Sequence, residues 1–106
     1  MAEIRFSPAL IGAACNLSEA DLRARVAEWA ALKRGASNMT LIDDGVSVEL
    51  GPDQLAADVA DLAAREADCC PFYAFTLAID GASRRLSITA GQGGQPAVRA
   101  LLGMFQ

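Results

Sequence analysis

Apolar residues recur at helical spacing in two long stretches of this sequence. In the first stretch they occupy every third or fourth position, at Leu22, Val26, Trp29 and Leu32. Ser18 is a good helix N-cap just before this stretch, and Gly35 follows it as a helix stop. The pattern predicts a first helix over about residues 19–34.

The second stretch has the same spacing at Leu55, Val59 and Leu62. We expect Asp53 to cap this helix and Pro71 to end it, with the helix reaching about residue 68. Pro96 then predicts the start of a last helix. The apolar face of that helix is Val98, Leu101, Leu102 and Phe105.

Two β-hairpins are predicted between the helices. The runs 39–42 and 46–50 are rich in apolar residues and are separated by Asp43-Asp44-Gly45, a strong turn sequence. A second pair of runs flanks Asp80-Gly81, and its apolar residues alternate with polar ones. These alternating residues are Tyr73, Phe75, Leu77, Ile79, Leu86, Ile88 and Ala90.

The predicted order α-β-β-α-β-β-α contains an internal repeat. Leu22, Val26 and Trp29 align with Leu55, Val59 and Leu62 at a constant offset of 33 residues, and the two Asp-Gly turns also correspond. We therefore predict an α+β fold in which two αββ repeats form one antiparallel sheet with helices packed on it, plus a C-terminal helix. The expected divisions of this single domain, 1–106, are 1–17 (irregular), 18–50, 51–91 and 95–105.

Composition and charge narrow the function classes. The 106 residues are 53% hydrophobic and carry a net charge of −4, with the basic residues scattered along the chain, so nucleic acid is an unfavourable partner. No apolar run reaches the roughly 20 residues of a membrane helix, and the first residues do not resemble a signal peptide. We expect a cytoplasmic protein with no membrane partner. The predicted sheet edges leave a homodimer open.

The cysteine content points to thiol chemistry. The sequence has three cysteines, Cys15, Cys69 and Cys70, and no histidine. Adjacent cysteines are poorly placed to bridge each other, so we expect Cys69 and Cys70 to be thiols in a reducing compartment. The absence of histidine removes the usual general base and the commonest metal ligand.

A carboxylate and two thiols come together at the end of the second helix. Extending its apolar stripe by four residues reaches Glu66, and the cysteine pair follows three and four residues later. Cys15 precedes the first helix, so antiparallel packing of the two helices would bring all three sulfurs together. Phe72, Tyr73 and Phe75 supply an apolar wall nearby, whereas Trp29 is interpreted as a core residue.

Three thiolates without histidine favour soft ions. Cu(I), Hg(II) and trivalent arsenic fit such a set, and Zn(II) would add water or Glu66 as a further ligand. Structural zinc is disfavoured because its ligand pairs are usually separated by two or more residues. The alternatives are that the cysteines are small buried packing residues and that Glu66 is a helix-surface residue paired with a base such as Arg65.

The segments Ala14-Cys15-Asn16-Leu17-Ser18 and Glu66-Ala-Asp-Cys-Cys-Pro-Phe72 resemble a family of small, mostly uncharacterised bacterial proteins. Similar stretches occur beside or appended to heavy-metal-responsive regulators of the mercury-resistance type. The resemblance spans about residues 14–90 and implies metal or metalloid handling by association. The chain shows no DNA-binding module of its own, which separates it from those regulators.

The leading hypothesis is binding of a soft metal or metalloid ion (Hg, As, Cu(I) or Zn) through Cys15, Cys69 and Cys70, for sensing, buffering or transfer. Glu66 would be an occasional ligand or would support the ligands. A second hypothesis is a thiol-dependent enzyme that uses Cys69, Cys70 and Glu66, either cleaving a carbon–metal bond or running redox chemistry. A third is an interaction domain with structural cysteines.

Overall fold

The computed structural model describes residues 18–104, and the predicted α+β fold is confirmed there. The elements, in chain order, are α1 (Glu19–Gly35), β1 (Asn38–Ile42), β2 (Gly45–Glu49), α2 (Ala56–Cys69), β3 (Ala74–Asp80), β4 (Ser83–Thr89) and α3 (Gln95–Leu101). This is the predicted order of two αββ units followed by a C-terminal helix. No helix among the described residues is long and apolar enough to cross a membrane.

Helix α1 begins as its sequence predicts. The Ser18 side chain accepts a hydrogen bond from the Asp21 amide at 3.1 Å, which caps the first turn. Trp29 and Leu32 are buried, but Val26 is 57% exposed, so its assignment to the inner face was wrong. The buried side of α1 is rotated toward Arg25, whose side chain is only 13% exposed.

The four strands form one antiparallel sheet in the order β1-β2-β4-β3. The second strands of the two hairpins therefore lie side by side at the centre, and β1 and β3 form the edges. Two apolar rows cross the sheet in register: Met39, Val48, Leu86 and Leu77, then Leu41, Val46, Ile88 and Phe75. The central members Val46, Val48, Leu86 and Ile88 are fully buried.

The opposite face of the sheet is polar. One register row across it consists of hydroxyl residues, Thr40, Ser47, Ser87 and Thr76. Since side chains alternate between faces along a strand, this row confirms that the sheet buries only one side. Helix α2 packs against β3, and α3 packs against β2 and β4.

The start of α2 differs from the prediction. Leu55, not Asp53, occupies the N-cap position, and no side chain caps the helix. Leu55 is 61% exposed, so its predicted place in the core was also wrong. Gln54 holds the preceding loop instead: its amide group donates to the Leu32 carbonyl and accepts from the Gly51 amide, both at 2.8 Å.

The two hairpin turns are not equivalent, although both contain Asp-Gly. Gly45 is the first residue of β2 and pairs with Ile42, whereas Gly81 lies in the turn between β3 and β4 with a φ of 60°. Gly45 also approaches the Ile88 carbonyl so closely that a β-carbon would not fit. The first glycine therefore serves strand packing, and the second serves turn conformation.

Helix α3 is shorter than predicted. Pro96 lies in its first turn, as expected, but the helix ends at Leu101, and the predicted core residue Phe105 lies outside the described residues. Val98 and Leu102 are buried, which confirms those two positions of the predicted face. The Tyr73 hydroxyl donates to the Ala97 carbonyl at 3.2 Å, linking α3 to the segment that precedes β3.

Candidate functional site at the end of helix α2

The candidate site is built where α2 turns into β3. The helix runs through Cys69, and Cys70 is its C-cap residue with φ −127° and ψ 85°. Pro71 disfavours helical conformation at the residue before it, which explains why the helix ends here. The Cys70 amide donates to the Glu66 carbonyl at 2.7 Å, and the Tyr73 amide donates to the Cys70 carbonyl at 3.1 Å.

The two adjacent cysteines are in different chemical states. Cys70 is fully buried and disulfide-bonded. Cys69 is partly buried and retains its thiol. The two neighbours are therefore not bonded to each other, as predicted. The prediction that Cys70 is also a thiol was wrong, because the geometric argument excluded only a bridge between adjacent residues and not a bridge to a distant one.

Glu66 is buried rather than being part of the helix surface, with 1% of its surface exposed. Its Oε1 accepts a hydrogen bond from Trp29 Nε1 at 2.7 Å and forms an ion pair with Arg25 at 3.2 Å. Both partners lie on α1, four residues apart and so on one side of that helix. The alternative of a helix-surface Glu66 paired with a base is wrong about exposure, and the base is Arg25 rather than Arg65, which forms salt bridges with Glu28 and Asp61.

Aromatic rings flank this junction. Trp29 stacks on Phe75 with ring centroids 5.8 Å apart, and Tyr73 contacts both Phe72 and Phe75 at 4.6 and 6.0 Å. Trp29 is fully buried, as expected for a core residue, but its indole also donates the hydrogen bond to Glu66. This hydrogen bond gives the core tryptophan a second role that hydrophobic spacing alone does not reveal.

Burial and charge act on the ionisable groups around the site. Burial, and then the negative charge of Glu66, raise the pKa of the Cys69 thiol, while Arg25 acts in the opposite direction. Burial and Glu66 also raise the pKa of Tyr73 above its ordinary value. Since the thiolate is the nucleophilic form of cysteine, the raised pKa lowers the reactivity of Cys69 near neutral pH.

Arg25 is the site residue that the sequence analysis missed. It was grouped with scattered surface charges, although it lies three residues after Leu22 and four before Trp29, on the buried side of α1. The available signal was a basic residue on the same face of α1 as the core residue Trp29. A buried carboxylate on the neighbouring helix was needed to interpret it.

The predicted ligand set is only partly visible. Glu66, Cys69 and Cys70 lie together at the end of α2, whereas Cys15 lies outside the described residues. Within residues 18–104 there is no group of three or more cysteine, aspartate or glutamate residues arranged to hold a metal ion. Convergence of all three sulfurs therefore stays a prediction.

Comparisons with known proteins give no relative. No protein-family model matches the chain, and neither a curated protein nor a solved structure matches it. The resemblance of the segment 66–72 to proteins associated with mercury-type regulators stays a prediction based on that motif.

Proposed function

We propose that this protein is a thiol redox module whose working bond is the disulfide at Cys70. The observation that carries the proposal is the contrast between a buried, disulfide-bonded Cys70 and an adjacent Cys69 that keeps its thiol. The chain has one further cysteine, Cys15, and we propose it as the partner of Cys70. The position of Cys15 before α1 agrees with this pairing, because Arg25 and Glu66 join the first half of α1 to the end of α2.

The reaction is a two-electron thiol–disulfide exchange. A thiolate of an external thiol attacks one sulfur of the protein disulfide, the sulfur–sulfur bond breaks, and the released sulfur takes up a proton. A second external thiol then resolves the mixed disulfide. In total, one protein disulfide and two external thiols give two protein thiols and one external disulfide. Because Cys70 is buried, we expect the attack to occur at the partner sulfur.

The compartment decides whether the disulfide at Cys70 is stable or reversible. We propose that the protein works in the cytoplasm, where stable structural disulfides are uncommon and those present are usually transient, catalytic or redox-sensing. A cytoplasmic disulfide at Cys70 would therefore be expected to open and close.

Cys69 provides an internal exchange step. Its thiolate can attack the partner sulfur of the Cys70 bond, which transfers the disulfide to Cys69 and releases Cys70 as a thiolate, with no net oxidation or reduction. The raised pKa of Cys69 keeps its thiolate scarce near neutral pH, so this exchange is slow while the site is intact.

A redox titration tests the proposal. The purified protein is equilibrated with graded mixtures of reduced and oxidised glutathione, quenched with acid, and analysed by mass spectrometry after alkylation. We expect one reversible two-electron transition that is lost in Cys15→Ser, kept at the wild-type constant in Cys69→Ser, and shifted toward the dithiol in Cys70→Ser, where only the secondary bond to Cys69 can form. A wild-type constant in Cys70→Ser, or a complete lack of reversibility in the wild-type chain, contradicts the proposal.

Soft-ion binding is the second candidate, and it belongs to the reduced form. Reduction would release thiols at Cys15 and Cys70 beside Cys69, which gives the sulfur ligands that Hg(II), trivalent arsenic, Cu(I) or Zn(II) prefer. The sequence spacing that puts Glu66, Cys69 and Cys70 in and after the last turn of α2 supports this candidate, and the three residues would have to rearrange on reduction because they do not form a metal site in the described structure.

This second candidate has a separate test. Reduced protein is titrated with each ion, and bound ion is measured by elemental analysis. We expect Cys15→Ser to lower affinity about as much as substitution of either adjacent cysteine. Binding by Cys15→Ser that equals the wild type contradicts a three-sulfur site.

A further inference from the structure

Glu66 is a charged residue buried inside the fold. Among the described residues it is the one charged or polar side chain in the fully buried class. A buried carboxylate is unfavourable unless donors and an opposite charge compensate the lost hydration. Two donors among the described residues are the Trp29 indole and the Arg25 guanidinium, and both contact the same oxygen, Oε1.

The side chain and the backbone of Glu66 each make a hydrogen bond within the site. Its carboxylate contacts α1, while its backbone carbonyl accepts the amide hydrogen of Cys70 at 2.7 Å. Trp29 is itself fixed by stacking on Phe75, a residue of β3. A single residue therefore connects α1, the last turn of α2 and the amide of the disulfide-bonded cysteine.

Disulfide stability in a folded protein depends on how well the structure holds the two sulfurs together. The closer the reduced form stays to the bonded geometry, the higher the effective concentration of one thiol at the other. Under the proposed pairing with Cys15, which precedes α1 in the sequence, a contact that fixes Cys70 relative to α1 favours the oxidised form. Glu66 makes such a contact.

We propose that Glu66, held by Arg25 and Trp29, is a positioning residue that sets the resistance of the Cys70 disulfide to reduction. The inference rests on the proposed function, since it requires that the disulfide is reversible. It adds that the redox equilibrium is controlled by a carboxylate that belongs neither to the disulfide nor to the reductant.

The test compares redox equilibria in glutathione mixtures, with the disulfide fraction measured by mass spectrometry. Glu66→Gln keeps the side-chain size and an acceptor for Trp29 but removes the closer of the two carboxylates that pair with Arg25, at 3.2 Å against 3.9 Å for Glu28. We expect its equilibrium constant to shift toward the dithiol by about tenfold or more, in line with the effect of groups that orient reactive ligands. Arg25→Met should shift it in the same direction, and Arg25→Lys should restore part of the effect.

Two controls separate positioning from general destabilisation. Asp61→Asn removes an exposed carboxylate from the same helix, and we expect its equilibrium to stay near the wild-type value. Leu102→Val shortens a buried side chain at the end of α3, which is distant in sequence from Glu66 and Cys70. This variant should lower the melting temperature without moving the redox equilibrium. The fluorescence of Trp29, the one tryptophan of the chain, should change in Glu66→Gln and not in either control.

The outcomes distinguish the two proposals. If wild-type protein shows no reversible disulfide, the proposed function fails and this inference fails with it. If wild-type protein titrates reversibly and Glu66→Gln, Arg25→Met and Leu102→Val all give the wild-type constant, the inference alone is overturned. If Leu102→Val shifts the equilibrium as much as Glu66→Gln, the effect is general stability, and the positioning role is also overturned. If Glu66→Gln fails to fold, Arg25→Met and Arg25→Lys test the positioning role in its place.

Discussion

The helix-to-strand junctions after α1 and after α2 are equivalent in the repeat but carry different side chains. After α1, the Ala36 amide bonds to the last helical carbonyls and the Ser37 amide donates to the Glu49 carbonyl at 2.9 Å. After α2, the corresponding place holds Cys69 and Cys70, with Cys70 buried and disulfide-bonded. The first junction shows that the fold requires only a helix end and an entry into a strand. The sulfur chemistry of the second junction is additional.

One helical turn before each junction, the equivalent residues of α1 and α2 also differ. At the repeat offset of 33 residues, Glu66 corresponds to Lys33, whose ammonium group makes an exposed hydrogen bond to the Gly103 carbonyl at 3.2 Å. Glu66 is buried and bonds to two residues of α1. The equivalent backbone positions therefore carry a surface contact in one unit and a buried charge cluster in the other.

The largest expected effect comes from removing the buried carboxylate. Glu66→Ala removes the carboxylate that accepts from the buried Trp29 indole, and it leaves the mostly buried Arg25 guanidinium with only the Glu28 carboxylate at 3.9 Å. We expect a loss of about 3–5 kcal/mol in the free energy of unfolding. Lys33→Ala at the equivalent position should cost about 0.5 kcal/mol or less. Urea denaturation of both variants measures the difference, and similar losses would contradict the contrast between the junctions.

The next effect concerns the disulfide. Cys70→Ala should lower the free energy of unfolding under oxidising conditions by about 2–4 kcal/mol, because the unfolded chain is no longer cross-linked. The control Ser37→Ala removes only side-chain hydrogen bonds to backbone carbonyls and should cost about 1 kcal/mol. With dithiothreitol present, the gap between wild type and Cys70→Ala should narrow. A gap that is independent of reductant would show that packing alone stabilises this position.

A smaller effect is expected in the pH dependence of Cys69 alkylation. The pKa of this thiol is raised by burial and by Glu66, so its thiolate fraction at neutral pH is reduced. Reaction with iodoacetamide at pH 7 should be slower than for the same cysteine in denaturant, and the rate should rise only at higher pH. A Ser37→Cys variant places a thiol at the exposed first junction and should react faster. Equal rates would contradict the protection of Cys69.

The smallest effect belongs to the exposed ion pair between the helices. Hydrogen bonding to Arg65 lowers the pKa of Glu28 in the folded protein, so the pair stabilises the fold above the unfolded pKa of this carboxyl. This contribution is lost as pH falls through the lower, folded pKa. Glu28→Gln should cost less than about 1 kcal/mol at pH 7, because both side chains are partly exposed and screened by water. A loss that persists below the folded pKa would point to packing.

The sequence predicts the repeated architecture well because its signals are local. Ser18 caps α1, Pro71 ends α2, and alternating apolar residues identify the sheet rows. The errors lie where a residue's role depends on a distant partner. Arg25 is drawn inward by Glu66, Val26 is displaced to the surface, and Leu55 is left exposed by the loop that Gln54 holds.

In the candidate site, too, local features were predicted from the sequence and features that depend on distant residues were not. The placement of Glu66, Cys69 and Cys70 at one helix end follows from helical spacing, and the lack of a bond between the adjacent cysteines follows from covalent geometry. The disulfide of Cys70 does not involve its neighbour Cys69, and nothing in the local pattern specifies it.

The most direct test of the redox proposal traps the cysteines inside cells. Cells that produce the protein are acid-quenched before an oxidant pulse, during it and after recovery, and the three cysteines are then alkylated and mapped by mass spectrometry. We expect a peptide linking Cys15 and Cys70 to accumulate during the pulse and to disappear on recovery, with Cys69 alkylated during the pulse. A constant disulfide at all three times, or a bond between Cys69 and Cys70, would contradict the account.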